Sequence, residues 1–245
     1  MAFLRKTYAL LGGALIAFAA LTGGLLVYAS DLSWSFSRWA FFSGPLGWIV
    51  VFGLVIGGTM WAQRLAMSET SRGVQYLGLS LAVVVQVMLM QPILWLLLMM
   101  FGDHVVVSSY AMQTASHHYT MHMNAHTTAL ILQAVVITLS IFVGLTAFVF
   151  VTRKDFSFIG GILSMAMFAL MGVALASWIF GFSLGALYCG IAVLVLGGYI
   201  LYETSLVMSQ FPPTAHVAAA TMLFTTVATL FRLVLQLLMM FSDRR

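Results

Sequence analysis

Charge is scarce in this chain. Among 245 residues there are ten Lys and Arg and six Asp and Glu, 7% in all, against about 25% in an ordinary soluble domain. So few ionised side chains cannot clothe the surface of a water-soluble domain this long, which excludes a soluble enzyme and a nucleic-acid reader. Cysteine is nearly absent as well. Cys189 is the single one, so no intrachain disulfide can form and a secreted disulfide scaffold is excluded. It lies in the apolar run from Ala186 to Gly190 and reads as a small buried hydrophobe. Catalytic patterns are missing too: there is no Gly-rich phosphate loop, no His-Glu-x-x-His, no paired Asp and no Gly-x-Ser-x-Gly context. The chain is therefore not expected to be an enzyme.

Apolar side chains take up what charge leaves. Hydrophobic residues make up 62% of the sequence and the mean hydropathy is +1.08, which identifies an integral membrane protein. The net charge of +4 points to basic cytoplasmic loops rather than to a nucleic-acid partner. A bilayer core needs about 20 apolar residues per helix. Seven stretches meet this, at 7–29, 46–67, 76–101, 127–151, 158–181, 184–208 and 216–240. Backbone polar groups in lipid must bond internally, so these are helices, and the short alternating segments of a barrel are absent. The expected fold is one all-α membrane domain over residues 1–245. The first stretch is too long for a signal-peptide core and is expected to stay as a helix.

The joints carry most of the charge. Residues 31–44 read as a polar and aromatic loop, in which Trp34, Trp39, Phe41 and Phe42 suit the bilayer interface. Phe211-Pro212-Pro213 is a firm helix break. With the N-terminus inside, the inner loops hold Arg5, Lys6, Arg64, Arg72, Arg153 and Lys154, against Arg38, Arg244 and Arg245 outside. That excess predicts a cytoplasmic N-terminus. The terminal Arg pair runs against it, which leaves a re-entrant last helix as the alternative to a full crossing.

Three stretches recur together in one known pattern: Thr152 to Gly161 with its Lys154-Asp155-Phe156-Ser157-Phe158 centre, Gly198-Tyr199-Ile200-Leu201-Tyr202-Glu203-Thr204-Ser205, and Phe231 to Leu238 with Leu235-Gln236-Leu237-Leu238. Met90-Gln91-Pro92-Ile93-Leu94 is a weaker fourth. In order and spacing they resemble the Bax inhibitor-1 family of seven-helix membrane proteins, over about residues 76–240. The resemblance implies a bundle around a central last helix. It also implies a Ca²⁺ leak gated by pH through two carboxylates, one on each of the last two helices. Bacterial members are linked to a membrane-bound quality-control protease, and animal and plant members to suppression of cell death. Here the first carboxylate position is Glu203, where the family has Asp. The second falls on Thr226, which carries no charge.

The residues add their own chemistry. A carboxylate inside a span faces the bundle interior or a watery cavity, because lipid exposure is costly. Glu203 is accordingly the first choice for a cation ligand or gate. Arg64, at the inner edge of the second span, is a possible latch partner for it, with snorkelling to headgroups as the alternative. Arg232 lies well inside the last span, with Asp103 or loop carbonyls as possible partners. His118, His122 and His126 recur every four residues, which on a helix makes one face and a workable spacing for Zn²⁺ or Cu⁺; a solvated polar turn is the alternative. Gln86, Gln91 and Gln133 either line a path or bond between helices. The expected function is a pH-influenced Ca²⁺ leak or passive cation pathway gated by Glu203. The alternative is a non-transporting regulator that binds a membrane protease or another membrane partner. No resident cofactor is expected. The expected setting is a bacterial inner membrane, with the lipid bilayer as the first partner.

Overall fold

A computed structural model describes residues 2–68, 71–102, 123–182, 184–212 and 214–242. Every regular element in it is helical. They are α1 (Ala2–Tyr28), α2 (Ser30–Phe42), α3 (Gly44–Ala66), α4 (Arg72–Phe101), α5 (Ala125–Thr152), a 3₁₀ turn (Ser157–Ile159), α6 (Gly160–Phe180), α7 (Ala186–Ser209) and α8 (His216–Ser242). Local chemistry sets several of the ends. The Ser71 hydroxyl caps α4 by accepting from the Val74 amide, and the Asn124 side chain caps α5 by accepting from Thr127 N–H at 2.8 Å. Helix α5 stops at Arg153 and α6 at Gly181, both in the left-handed conformation, with φ of 50° and 72°. Pro92 stands inside α4 and removes one of its backbone bonds.

Helix α8 is the axis, touching α1, α3, α4, α5 and α7. Its buried residues run almost its whole length, from Val217 to Met239. Phe18 of α1 meets Phe224 and Phe231 of α8 edge-on, with ring centroids 6.0 and 6.3 Å apart. The central last helix expected from the sequence is therefore present. Lipid is as apolar as leucine, so close approach rather than water expulsion holds such helices together. Gly78 of α4 illustrates this: a Cβ there would lie 2.6 Å from the Ala62 carbonyl oxygen and 2.5 Å from the Ala66 amide nitrogen of α3. Helix α6 stands apart, packed against α7 and its own 3₁₀ turn.

Six of the helices are long and apolar enough to cross a bilayer among the described residues: α1, α4, α5, α6 with its 3₁₀ turn, α7 and α8. Their limits lie within a few residues of the expected spans. The remaining expected span, 46–67, is α3. It runs antiparallel to α4, with Ala66 and Ala62 at Gly78 and Gly58 at Val85.

One expectation needs correcting. Residues 31–44 are not a loop, since α2 is a helix of 13 residues. Its serines explain why. Ser33 and Ser37, four apart, share one face with Ala40, and all three are buried. The aromatic residues Trp39 and Phe42 stay exposed, as an interfacial belt requires.

Two ends of the bundle are defined by contacts. At one, a cavity of about 340 Å³ lies between Ala66, Met67 and Gln75 and, across from them, Leu206, Gln210 and Ala215. Asp155 meets Ser205 there, and the Tyr8 ring meets Phe150 at 5.7 Å. At the other end Asn124 donates to the Phe101 carbonyl and His126 bonds Ser242. Arg5, Lys6, Arg64, Arg72, Arg153 and Lys154 all belong to the first end by their places on these helices.

Candidate functional site

Among the described residues Glu203 is the one buried acid: it is 6% exposed, while Asp31 and Asp155 lie at the surface. It projects from α7 toward α8. The Thr226 hydroxyl donates to Glu203 Oε1 at 2.8 Å, and Oε2 is buried without a partner. No cation lies against the carboxylate among the described residues. The two positions that the family resemblance pairs are thus joined by a hydrogen bond, with a hydroxyl in place of the second acid.

A separate set of hydroxyls meets around the next residue of α7. Thr204 follows Glu203 on α7 and is fully buried. The Tyr8 hydroxyl of α1 faces Thr204 and Thr146 of α5, yet none of the three has a hydrogen-bond partner of good geometry. Thr138, two turns earlier on α5, is a fourth orphan hydroxyl. Buried polar atoms normally find partners, so this inner half of the bundle holds more unmet hydrogen-bonding capacity than a settled apolar core. On α8, Thr221, Thr225 and Thr229 satisfy themselves by bonding back to the carbonyl four residues earlier. Thr229 also receives Gln86 Nε2 of α4 at 3.5 Å.

The other expected site residues separate. Arg64 is exposed at the C-terminal end of α3, and no ion pair joins it to Glu203. The two residues expected as a latch are therefore not in contact. Arg232 is half-buried on α8, and its electrostatic neighbour is the Tyr188 hydroxyl of α7; Asp103 lies outside the described residues. Of the three histidines, His118 and His122 lie outside the described residues. His126 is exposed, bonds Ser242 Oγ at 2.9 Å and packs on Phe101.

A second polar cluster joins α1, α2 and α4 toward the opposite end. Ser33 Oγ donates to Gln91 Oε1 at 2.6 Å and accepts from Trp95 Nε1 at 2.7 Å. Gln91 Nε2 reaches the Thr22 carbonyl at 3.4 Å, and Trp34 packs on Trp95 with centroids 4.7 Å apart. Gln91 thus bonds between helices. At the Glu203 end, Asp155 Oδ1 accepts from the Ser157 amide at 2.9 Å and from the Ser205 hydroxyl at 3.2 Å. The Ser157 bonds hold the Asp155 carboxyl below the usual carboxylate range. Ser205 in turn accepts from the Phe156 amide, so the Lys-Asp-Phe-Ser stretch is stitched to the Glu-Thr-Ser stretch of α7.

The sequence model described as Inhibitor of apoptosis-promoting Bax1 matches residues 114–243, more than half of the chain. The chain belongs to the Bax inhibitor-1 family. Bax inhibitor 1 of Schizosaccharomyces pombe is 35% identical over 119 residues, 46% of this chain and 44% of that protein. A BI1-like protein of Arabidopsis thaliana is 32% identical over 135 residues, 52% and 53% of the two chains. An uncharacterized protein of Pseudomonas aeruginosa is 28% identical over 117 residues, 46% and 50%. The chain thus spans about half the length of the curated relatives it matches. No solved structure matches it at a significant level. Within the Bax inhibitor-1 match lie α5 to α8, and with them Glu203, Thr226 and the Asp155–Ser205 contact. Tyr8, Ser33 and Gln91 fall before it.

Proposed function

We propose that this multi-pass membrane protein is a passive cation pathway of the Bax inhibitor-1 type, controlled by Glu203. One observation carries the reading: a buried carboxyl with no counter-charge among the described residues, one oxygen held by a single hydroxyl and the other unpartnered. A purely structural glutamate in lipid would have its acceptors filled, because each unmet one is costly there. Ca²⁺ is the cation the family resemblance names, and protonation of Glu203 is the simplest switch. Helix α3 is taken as the seventh crossing, supported by its antiparallel run along α4. The six basic residues at the Glu203 end support a cytoplasmic setting for that end and for the N-terminus. The bacterial relative supports an inner-membrane location.

The test is flux through the purified full chain in liposomes, with Ca²⁺ and K⁺ indicators, for the wild type and Glu203→Gln. Cation entry that depends on pH and changes with the substitution is the expected result. Absence of flux for every cation overturns the pathway and favours a regulator, which would instead co-purify with a membrane protease.

A further inference from the structure

We propose that the outward face of α2 seats one phospholipid of net negative headgroup charge, its phosphate on Arg38 and Ser35 and its first acyl carbons against Trp39 and Phe42. The 13 residues of α2 divide into two faces. Ser33, Ser37 and Ala40 turn into the protein and are buried. Ser35, Arg38, Trp39 and Phe42, spaced at i, i+3, i+4 and i+7, fall on the opposite side of the helix. Together with Ser43 they line a recess of about 370 Å³, within the usual size of small-ligand sites, about 300–1,000 Å³. The Ser43 hydroxyl at its rim is turned to the Trp39 carbonyl. Among the described residues no ion pair or hydrogen bond holds the Arg38 guanidinium or the Ser35 hydroxyl.

Depth decides what meets this recess. Helix α4 has 30 residues, about 45 Å at the helical rise, which is the full thickness of a bilayer with its headgroups. Ser33 bonds Trp95, six residues before α4 ends at Phe101, and Gln91 one turn deeper. Helix α2 therefore lies about 9 Å inside the end of α4, the level at which amphipathic helices meet the boundary of headgroups and acyl chains. Exposed Leu32, Trp39 and Phe42 belong there. The Arg38 charge needs a polar partner at that level, and the layer it lies in is built of phosphates. A guanidinium matches a phosphate with two parallel N–H bonds, and the Ser35 hydroxyl, one turn earlier on the same face, adds a donor. Charge selects the headgroup class. Helix α2 holds one base and one acid, and Asp31 stands seven residues from Arg38, about 10 Å along the axis. An anionic headgroup is neutralised by Arg38 alone, whereas a zwitterionic one would bring an ammonium with no acid beside the phosphate seat.

The full chain, purified in detergent, is titrated with phosphatidylglycerol or phosphatidylcholine, and bound lipid is counted by native mass spectrometry. Phosphatidylglycerol should be retained about fivefold over phosphatidylcholine, with Arg38→Gln removing that preference and Ser35→Ala halving it, to about two- to threefold. Arg64→Gln, which removes an exposed arginine at the other end of the bundle, should leave most of the preference in place. Both arginines are exposed, so the variants should melt with the wild type. Equal retention of the two lipids overturns the seat. So do equal effects of Arg38→Gln and Arg64→Gln, which would reduce it to general basic attraction, and displacement of the bound lipid by inorganic phosphate, which would remove lipid as the occupant.

Discussion

Removing one hydroxyl offers a direct measure of how the last two helices are joined. Thr226→Val keeps the side-chain volume and deletes the donor to Glu203 Oε1, which sits 2.8 Å away. Because Oε2 is already unpartnered, the variant leaves the buried carboxyl with no bond at all. Interhelical hydrogen bonds in membranes average about 0.6 kcal/mol and reach about 1.7. Orphaning a buried acceptor costs about 1–3 kcal/mol. The two ranges overlap near ~1.5 kcal/mol, which for a chain of this length lowers Tm by roughly 3–6 °C. Thr225→Val is the control, since that hydroxyl only bonds the Thr221 carbonyl of its own helix, and it should stay within about 0.5 kcal/mol of the wild type. Glu203→Leu combined with Thr226→Val removes both partners, so the pair should be less damaging than the sum of the singles by about 1 kcal/mol. Thermal denaturation in detergent micelles, followed by circular dichroism, reads all five proteins: the wild type, the three single variants Thr226→Val, Thr225→Val and Glu203→Leu, and the double variant. A Thr226→Val protein that melts with the wild type, or strictly additive single effects, would refute the contact.

Three further outcomes follow from the packing. Gly78→Val drives a side chain into the α3 backbone at Ala62 and Ala66 and should cost about 1–3 kcal/mol, whereas Gly161→Ala meets nothing within 4 Å and should be neutral or stabilising by up to about 1 kcal/mol; paired melting curves decide. Gln91→Leu strips Ser33 of its acceptor and should destabilise by about 1–3 kcal/mol, with a change in tryptophan emission as the Trp95 environment loosens; unchanged emission and Tm would remove Gln91 from the α1–α2–α4 junction. The Asp155 carboxyl is held low when folded, so its bonds to Ser157 and Ser205 persist above the ordinary carboxylate range and are lost as pH falls through that lowered value. The protection factor of the Ser157 amide, its exchange rate corrected for the intrinsic pH dependence, should fall at the acid end and stay flat near neutrality.

Much of the plan was legible because lipid makes strong demands on sequence. Long apolar runs had to be helices, and the seven stretches recur within a few residues of their expected limits. Glu203 was found from scarcity, as an acid with no loop to explain it, and Thr226 through the family resemblance, whose second acid position falls on it. Helix α2 was missed because its serines lower the hydropathy that otherwise marks a buried helix. The four-residue spacing of Ser33 and Ser37 was the available clue. Tyr8 was passed over because no local pattern singles it out, and only the tertiary fold brings it against α5 and α7. Arg64 went the other way: sequence put it at the same end as Glu203, but depth along an axis says nothing about which way a side chain points.

The exposed outer face of α6 and the single bond of Glu203 look unrelated in the finished molecule, but synthesis connects them. The chain emerges in order, so α7 reaches the bilayer before α8 has been made. During that interval α5 and α6 are its neighbours, with the close approach of Gly198 to Leu163 and no acid or base in either helix but His126 at the far end of α5. Thr226 arrives only when α8 follows. An unaccompanied acid in a span carries an insertion cost of up to about 3 kcal/mol. Insertion of α7 and α8 together, as one helical hairpin, avoids it. The placement of Glu203 near the exit end of α7, six residues before Ser209 where the helix stops, keeps that acid close to water until its partner has been delivered.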